Sequence, residues 1–264
     1  MHEFEFSAQD FHRVRDLIAA YAGIFLHERK QNMVYNRLAR RLRATGQRSF
    51  REYLDAVEAF GSPEREQFVN ALTTNLTAFF REVHHFDMLV AKARPGAVLR
   101  VWSSACSTGE EAYSAAIALR AAGRAATILA TDIDTLALET ARLGVYPVEP
   151  LERPGMERVR RYFLKGSGPN AGLARVRPEI RDMVSFANRN LLGSDWPAGE
   201  RFDAVFCRNV MIYFDRATQQ RLLERLVGVL APGGLLFLGH SESCAAGNPR
   251  LRACGKTAYE RRDE

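Results

Sequence analysis

A run of small residues that ends in two acids is the first feature of this sequence that could bind a ligand. Residues 103–111 read SSACSTGEE, and their small side chains would let a ligand approach the backbone closely. The run lacks the glycine pattern of a dinucleotide site, the lysine of a phosphate-binding loop and the serine motif of a hydrolase. Glu110 would repel a pyrophosphate, so the run favours a cofactor with an ammonium group and no phosphate. S-adenosylmethionine, with its α-amino group and sulfonium charge, fits that description.

A second acid stands at the end of the next predicted strand. Asp132 lies 23 residues beyond Gly109. A separation of about 20 residues places a carboxylate on the ribose hydroxyls of a nucleotide bound to an α/β sheet. Asp134 fits the start of a helix better, because aspartate is a favoured N-cap residue. The sequence therefore predicts that Asp132 binds a ribose.

A parallel sheet would bring these two acids together, and the pattern from about residue 97 onward predicts one. Apolar segments alternate there with helical patterns, which is typical of an α/β fold. The predicted strands are 98–102, 126–131, 183–187, 202–207 and 235–239, with an edge strand at 257–261, and the predicted helices are 110–122, 134–143 and 222–230. Ligands of such sheets bind beyond the carboxyl ends of the strands.

Two segments depart from this alternation. Residues 1–72 carry apolar side chains at helical spacing, such as Val34, Leu38 and Leu42, and predict a small all-helical N-terminal domain. Residues 147–181 contain the turn-forming run KGSGPNAG and predict an inserted β-hairpin or small β-subdomain, in which the strand at 173–177 would present an open edge. We therefore expect a helical domain over 1–72, a linker over 73–96 and an α/β domain over 97–264, with the insertion at about 147–181.

Composition narrows the class of protein. The 264 residues are 47% hydrophobic, but no apolar run reaches the roughly 18–20 residues of a membrane span. The acidic start of the chain lacks the basic and apolar regions of a signal peptide. Four scattered cysteines form no C-x-x-C motif, so we expect a reduced, cytoplasmic compartment. His84 and His85 have no further ligand at metal spacing, and we expect no metal.

A block of basic residues marks the helical region. Eight arginines and lysines lie between Glu28 and Glu52, with no acid among them. Arg37, Arg40 and Arg43 fall three residues apart on one predicted helix. Such a block indicates either an acidic partner, which could be nucleic acid, a membrane surface or an acidic protein, or a face that is only solvated.

Four longer motifs make the resemblance to one family specific. Residues 72–82 (LTTNLTAFFRE), 107–111 (STGEE), 207–214 (CRNVMIYF) and 239–242 (GHSE) closely resemble the signatures of the chemotaxis-receptor (protein-glutamate) O-methyltransferases, in the family's order. The resemblance implies a Rossmann-like class I methyltransferase sheet with a helical N-terminal domain and an inserted β-subdomain. It also implies transfer of a methyl group from S-adenosyl-L-methionine to glutamate side chains of chemoreceptors during sensory adaptation.

The same resemblance implies roles for individual residues. It places Arg81 and Tyr213 at the transferring methyl group. The implied cofactor-binding residues are Asn75, Thr77, Arg81, Glu110, Asp132, Asn190, Leu191, Arg208 and Asn209. We expect Arg37, Arg40 and Arg43 to bind the acidic methylation region of the receptor. The sequence departs from the family pattern at Ala112, where proline is expected, and at Cys106 in the small-residue loop.

The partners implied are the cytoplasmic domain of transmembrane chemoreceptors and, through the inserted segment, the receptor's C-terminal tail peptide. A glutamate is already ionised at neutral pH, so direct displacement at the sulfonium needs no general base and no metal. Neither nucleic acid nor direct membrane insertion is expected.

Two alternatives belong to other classes. An RNA methyltransferase would favour an Asp/Asn-Pro-Pro-aromatic motif where residues 208–211 read RNVM. A non-enzymatic receptor-binding or cofactor-sensing module would be expected to have lost Arg81 or Tyr213, and both are present.

Overall fold

The computed structural model describes residues 3–153, 155–197, 199, 201–242 and 244–262, which form a helical N-terminal part and an α/β part. The helices are α1 (Ala8–Ala22), α2 (Gln31–Thr45), α3 (Phe50–Glu58), α4 (Glu64–Leu72), α5 (His84–Lys92), α6 (Glu110–Ala121), α7 (Thr135–Leu143), α8 (Glu149–Glu152), α9 (Glu157–Arg160), α10 (Pro178–Arg181) and α11 (Arg216–Val229). The strands are β1 (Val98–Ser103), β2 (Ala125–Asp132), β3 (Val145–Pro147), β4 (Phe163–Lys165), β5 (Leu173–Val176), β6 (Val184–Asn188), β7 (Phe202–Cys207), β8 (Leu230–Leu238), β9 (Leu251–Gly255) and β10 (Ala258–Arg261).

The N-terminal helices form because their apolar stripes face one another, and side-chain caps from Ser7 and Ser49 begin α1 and α3. A capping box opens α1, where the Ser7 hydroxyl accepts the Asp10 N–H at 3.1 Å and the Asp10 carboxylate accepts the Ser7 N–H at 2.9 Å. Val34, Leu38 and Leu42 on α2 are fully buried, as their spacing predicts. The predicted all-helical domain is confirmed.

The main sheet has seven strands in the order β6-β2-β1-β7-β8-β10-β9. Strands β6, β2, β1, β7 and β8 run parallel, whereas β10 is antiparallel to both β8 and β9. The chain moves outward from β1 to β2 and β6, and then returns to the other side of β1 with β7. This reversal puts a topological switch point at the carboxyl ends of β1, β2 and β7, where α/β sheets bind their ligands.

A separate three-stranded antiparallel sheet, in the order β3-β5-β4, confirms the predicted β-insertion. One detail of the prediction was wrong. The strand expected to present an open edge is β5, which is the central strand, because β3 and β4 pair on its two sides. The outer strands of this small sheet are therefore β3 and β4. A further strand, β9, was not predicted, since its sequence alternates weakly and only Leu251 is buried.

Buried polar contacts fix the linker after α4 to the α/β part. One carboxylate oxygen of Asp134 accepts hydrogen bonds from the Thr73 hydroxyl at 2.5 Å and the Asn75 amide at 2.7 Å. Its other oxygen accepts the Ala137 N–H at 3.0 Å and caps α7, as the sequence predicts. The linker is thereby held across the carboxyl ends of β1 and β2. No helix among the described residues is long and apolar enough to cross a membrane.

Candidate active site

A cavity of about 500 Å³ lies at the switch point of the main sheet, within the size range of small-molecule sites. The strand ends and their loops form one wall, and the linker with the segment after α1 forms the other. The lining residues are Ala22, Ile24–His27, Lys30, Met33, Leu72–Ala78, Arg81, Ser104, Ala105, Ser107, Glu111, Asp132, Ile133, Arg189–Leu191, Arg208–Val210 and Ile212–Phe214. All but one of the predicted cofactor-binding residues are among them.

Asp132 is held in place by the backbone of two loops. Its carboxylate accepts the Ser107 N–H at 2.7 Å and the Asp134 N–H at 2.9 Å. Ser107 has a left-handed backbone with φ of 50°, which turns its N–H toward the acid. Burial raises the pKa of Asp132 to about 6, against the opposing effect of these hydrogen bonds. A desolvated carboxylate of this kind gains from the donation of two ribose hydroxyls.

The structure places two neighbouring acids differently with respect to the cavity. Glu110 does not line the cavity, and its carboxylate instead accepts the Thr108 hydroxyl at 2.6 Å. Glu111 lines the cavity, because successive residues of a helix point about 100° apart. The Ser103 hydroxyl donates to one oxygen of Glu111 at 2.7 Å. Burial raises the pKa of Glu111, and the charge of Arg208 opposes that shift.

Arg208 is buried beneath the cavity, with 2% of its side chain exposed. Its Nη1 lies 3.2 Å from the Glu111 carboxylate, and its Nη2 donates to the carbonyl of Arg81. The guanidinium therefore connects α6, through Glu111, to the linker, through the backbone of Arg81. The adjacent Asn209 also lines the cavity and has a left-handed backbone with φ of 59°.

The linker and the loops after β6 and β7 supply the remaining candidates. The side-chain oxygen Oδ1 of Asn75 accepts the Ser107 hydroxyl at 3.3 Å, which joins the two walls, and Thr77 follows on the linker. Arg81 donates from Nη1 to the carbonyl of Leu76 at 3.0 Å. The carbonyl of Tyr213 accepts the Phe25 N–H at 2.7 Å.

Asn190 and Leu191 follow β6 on the far side of the cavity. The Asn190 amide donates to the carbonyl of Tyr21 at 2.8 Å, and Leu191 is buried. Together with Ile133, Leu191 gives this side of the cavity an apolar surface that suits a flat aromatic ring.

The three arginines predicted to bind substrate lie outside the cavity. Arg37 donates from Nη1 to the carbonyls of Ala71 and Thr73, so it supports the linker. Arg43 pairs with Glu3 at 2.6 Å, and both side chains are about half exposed. Arg40 is exposed on α2. Sequence spacing could not show that Arg37 has a backbone partner more than 30 residues away.

Sequence reasoning missed several lining residues. Phe25, Lys30 and Arg189 reach the cavity only because the helical part and the loop after β6 fold over the sheet. No local motif marks them. In the part of the chain that the structure describes, no group of His, Cys, Asp and Glu side chains is placed to hold a metal ion.

Family models match almost the whole chain. Residues 9–73 match the all-alpha domain of CheR methyltransferases, and residues 75–259 match the family's SAM-binding domain. The chain belongs to the CheR methyltransferase family. S-adenosyl-L-methionine is therefore the cofactor of the SAM-binding domain.

Relatives in this family are similar over nearly their full length. Chemotaxis protein methyltransferase 2 of Pseudomonas aeruginosa is 49% identical over 265 residues, covering 97% of this chain and 94% of the relative. The chemotaxis protein methyltransferase of Escherichia coli is 49% identical over 256 residues, covering 94% of this chain and 89% of the relative. Among solved structures, the rRNA methyltransferase aviRa from Streptomyces viridochromogenes shares 15% identity at a TM-score of 0.44, covering 72% of this chain and 87% of that one. A similarity this low carries no argument about substrate.

The donor set of the cavity fits the cofactor. Asp132 would accept the ribose hydroxyls and Glu111 would face the methionine ammonium, while Leu191 and Ile133 would contact the adenine. We propose these assignments from the placement of the side chains on the cavity wall.

We expect cofactor affinity to fall as the pH is lowered through about 6. Below that value Asp132 of the free protein is protonated, whereas ribose hydroxyls donate best to the charged form. Calorimetric titration should show up to about a tenfold weaker affinity at pH 5 than at pH 7.5 from this one group. Asp132→Asn should bind the cofactor about 10–100-fold more weakly and lose this component. An equally steep pH dependence in the variant would contradict the assignment.

Substitution of the two neighbouring glutamates should separate them. Glu111→Gln should weaken cofactor binding by about tenfold or more, since it removes the charge opposite the ammonium. Glu110→Gln is the matched control and should change affinity less than about threefold, because its carboxylate lies off the cavity. Titrations of both variants at neutral pH, with thermal unfolding measured in parallel, make the comparison. A larger loss in Glu110→Gln would restore the assignment made from sequence.

Proposed function

We propose that this chain transfers the methyl group of S-adenosyl-L-methionine to glutamate side chains of chemoreceptors and forms glutamate methyl esters. The observation that carries the proposal is 49% identity, over 94–97% of the chain, to relatives named as chemotaxis protein methyltransferases. The presence of both Arg81 and Tyr213 on the cavity wall supports an enzyme over a binding module.

The residues at the cavity mouth suit an ionised substrate. A glutamate side chain has a reference pKa near 4.3 and arrives as a carboxylate, so no general base is needed. The bound cofactor supplies an electrophilic methyl group on a positively charged sulfur. Arg81 has one nitrogen tied to the carbonyl of Leu76, and its other donors remain to steer the incoming carboxylate. Tyr213, which also lines the cavity, can orient the carboxylate by donating one hydrogen bond.

Exclusion of water is the second contribution of the site. Ala105, Val210 and Phe214 line the cavity, and their apolar side chains bring no polar groups that would compete with the substrate. A dry cavity strengthens the contacts of Arg81 and protects the reacting groups from hydrolysis. The enzyme then acts mainly by aligning the bound cofactor and the glutamate, and such alignment can remove a large part of the activation free energy of a reaction between two molecules.

The basic face of α2 is the proposed contact for the acidic part of the receptor. Lys30 lines the cavity just before α2 begins, and Arg40 and Arg43 lie about 15–20 Å further along the helix. Arg37 is left out of this surface, since its guanidinium supports the linker. Because the proposed substrate is the cytoplasmic domain of the receptor, we propose that the reaction takes place in the cytoplasm.

The inserted sheet is the proposed site for the receptor's C-terminal tail peptide. Its outer strands, β3 and β4, have the backbone edges that strand addition requires.

A methyl-transfer assay with labelled cofactor and receptor cytoplasmic fragments tests the function. Wild-type protein should label the receptor, and mild base should release the label as methanol, which is diagnostic of an ester. Arg81→Ala and Tyr213→Phe should lower turnover by about tenfold or more, a larger factor than any loss of cofactor affinity, because their proposed contacts are to the reacting groups. Label in RNA, or in base-stable protein, would contradict the proposal.

Charge reversal on α2 tests the receptor contact. Arg40→Glu should raise the KM for receptor by about threefold or more at low salt, with a smaller effect above about 0.15 M, where exposed charges are screened. Arg120→Glu reverses the charge of an exposed arginine at the end of α6 and should leave KM unchanged. Equal KM values for the two variants at low salt would mean that the α2 face is only solvated.

A further inference from the structure

Strained backbone surrounds both proposed catalytic side chains. Phe80 and Glu82, on either side of Arg81, have positive φ values of 54° and 58°. Asn209, four residues before Tyr213, has φ of 59°. A residue with a Cβ atom adopts this conformation only at a cost in free energy, and it persists where surrounding contacts enforce it. The contacts that do so lead to two glutamates behind the cavity.

Glu82 connects three segments that meet behind Arg81. Its side chain is 7% exposed, and one oxygen accepts His240 Nδ1 at 2.8 Å. Its other oxygen lies 3.4 Å from Nη2 of Arg208, and the same nitrogen donates to the carbonyl of Arg81. Glu82 therefore anchors the guanidinium that holds the backbone of Arg81.

His240 and Arg208 together keep Glu82 ionised. Burial raises the pKa of Glu82, but the hydrogen bond from His240 and the charge of Arg208 outweigh it and hold the pKa below its ordinary value. His85, whose Nδ1 lies 3.5 Å from Glu82, is fully buried, and burial lowers its pKa to about 4. At neutral pH the cluster is thus an ionised glutamate against one permanent cation, with His85 neutral.

Glu242 holds the backbone of the segment that leads to Tyr213. It is buried, and one of its oxygens accepts the N–H groups of Asn209 at 2.9 Å and Gly239 at 2.6 Å. Its other oxygen accepts the N–H of Met211 at 2.7 Å. Met211 opens the short 3-10 turn that ends at Tyr213. Gly239 is required here, since a Cβ would lie 2.8 Å from the backbone nitrogen of Asn209 and 2.4 Å from its side-chain Nδ2.

We propose that Glu82 and Glu242 are positioning residues for methyl transfer. Glu82 acts through Arg208 on Arg81, and Glu242 fixes the turn that presents Tyr213. Neither carboxylate lines the cavity, so neither touches the reactants. The inference rests on the function proposed above.

Glutamine variants test both assignments in the full-length chain. In Glu82→Gln and Glu242→Gln an amide NH₂ replaces one acceptor oxygen and faces a donor, while side-chain volume is kept. Each should lower receptor methylation at saturating cofactor by about tenfold or more and change the cofactor dissociation constant less than about threefold. A variant that methylates at the wild-type rate contradicts its assignment.

Double variants separate positioning from a general structural role. Glu82→Gln should add less than about twofold to the loss already caused by Arg81→Ala, but its full factor to the loss in Tyr213→Phe. Glu242→Gln should show the reverse pattern. Losses that multiply equally in both backgrounds would overturn the proposal.

Glu64 provides the matched control. It is a poorly exposed glutamate in the helical part that accepts from Arg41 at 2.8 Å and from the Tyr53 hydroxyl at 3.0 Å. Glu64→Gln should lower thermal stability and leave turnover per folded molecule unchanged. A comparable fall in turnover would show that any buried glutamate has this effect, and would refute the assignment.

Amide exchange tests the backbone contacts without catalysis. In Glu242→Gln one of the two acceptor oxygens becomes an NH₂ group, so either the Asn209 amide or the Met211 amide loses its acceptor and should exchange about tenfold faster or more, whereas the amides of α2 should not change. If wild-type protein labels no receptor, the proposed function fails, and faster exchange at either of these amides still supports the positioning role. Unchanged exchange overturns that role whatever the activity.

Discussion

A carboxylate taken out of water stays ionised only where fixed donors replace its hydration, and this constraint organises the site. Leaving such a charge unpaired costs several kcal/mol. Asp132 is held by two backbone N–H groups, Glu111 by Ser103 and Arg208, and Glu242 by three backbone N–H groups. These donors lie at the carboxyl ends of β1, β2, β7 and β8 and in the loops that follow those strands. The hydrogen bonds that these carboxylates accept therefore also fix the conformation of the loops.

The reaction explains why acids can be used in this way. Methyl transfer from a sulfonium to a carboxylate moves no proton, so the site needs no group that titrates during turnover. Its acids are free to bind a cationic cofactor and to fix the backbone. The buried guanidinium of Arg208 then links one acid on the cavity wall, Glu111, to another behind it, Glu82. A site built from fixed charges keeps its alignment without reorganising during the reaction, which is where electrostatic stabilisation is most effective.

The fold class followed from periodicity, and the position of Asp132 on the cavity wall followed from topology, because both depend on rules that act over short stretches of chain. Asp132 had to stand at the end of the second strand, and the capping role of Asp134 could be recognised from its position before a helix. The choice between Glu110 and Glu111 needed more, since neighbouring helical residues differ only in direction and the sequence does not give the rotation of α6. The central position of β5 and the use of Arg37 to support the linker depend on pairings across the fold. Local sequence patterns contain little information about such contacts.

The linker shows why these long-range contacts matter for function. Asn75, Thr77 and Arg81 are part of the cavity wall, yet they belong to neither the helical core nor the sheet. Asp134 holds one end of this segment through Thr73 and Asn75, and Arg208 holds the other end through the carbonyl of Arg81. Asp134 also caps α7 and lies just after β2. The residue that binds the linker is therefore itself fixed to the α/β part. The shape of the cavity and the relative placement of the two parts are therefore set by the same hydrogen bonds. A surface on α2 that binds substrate would then be held in a fixed position relative to the methyl-transfer site.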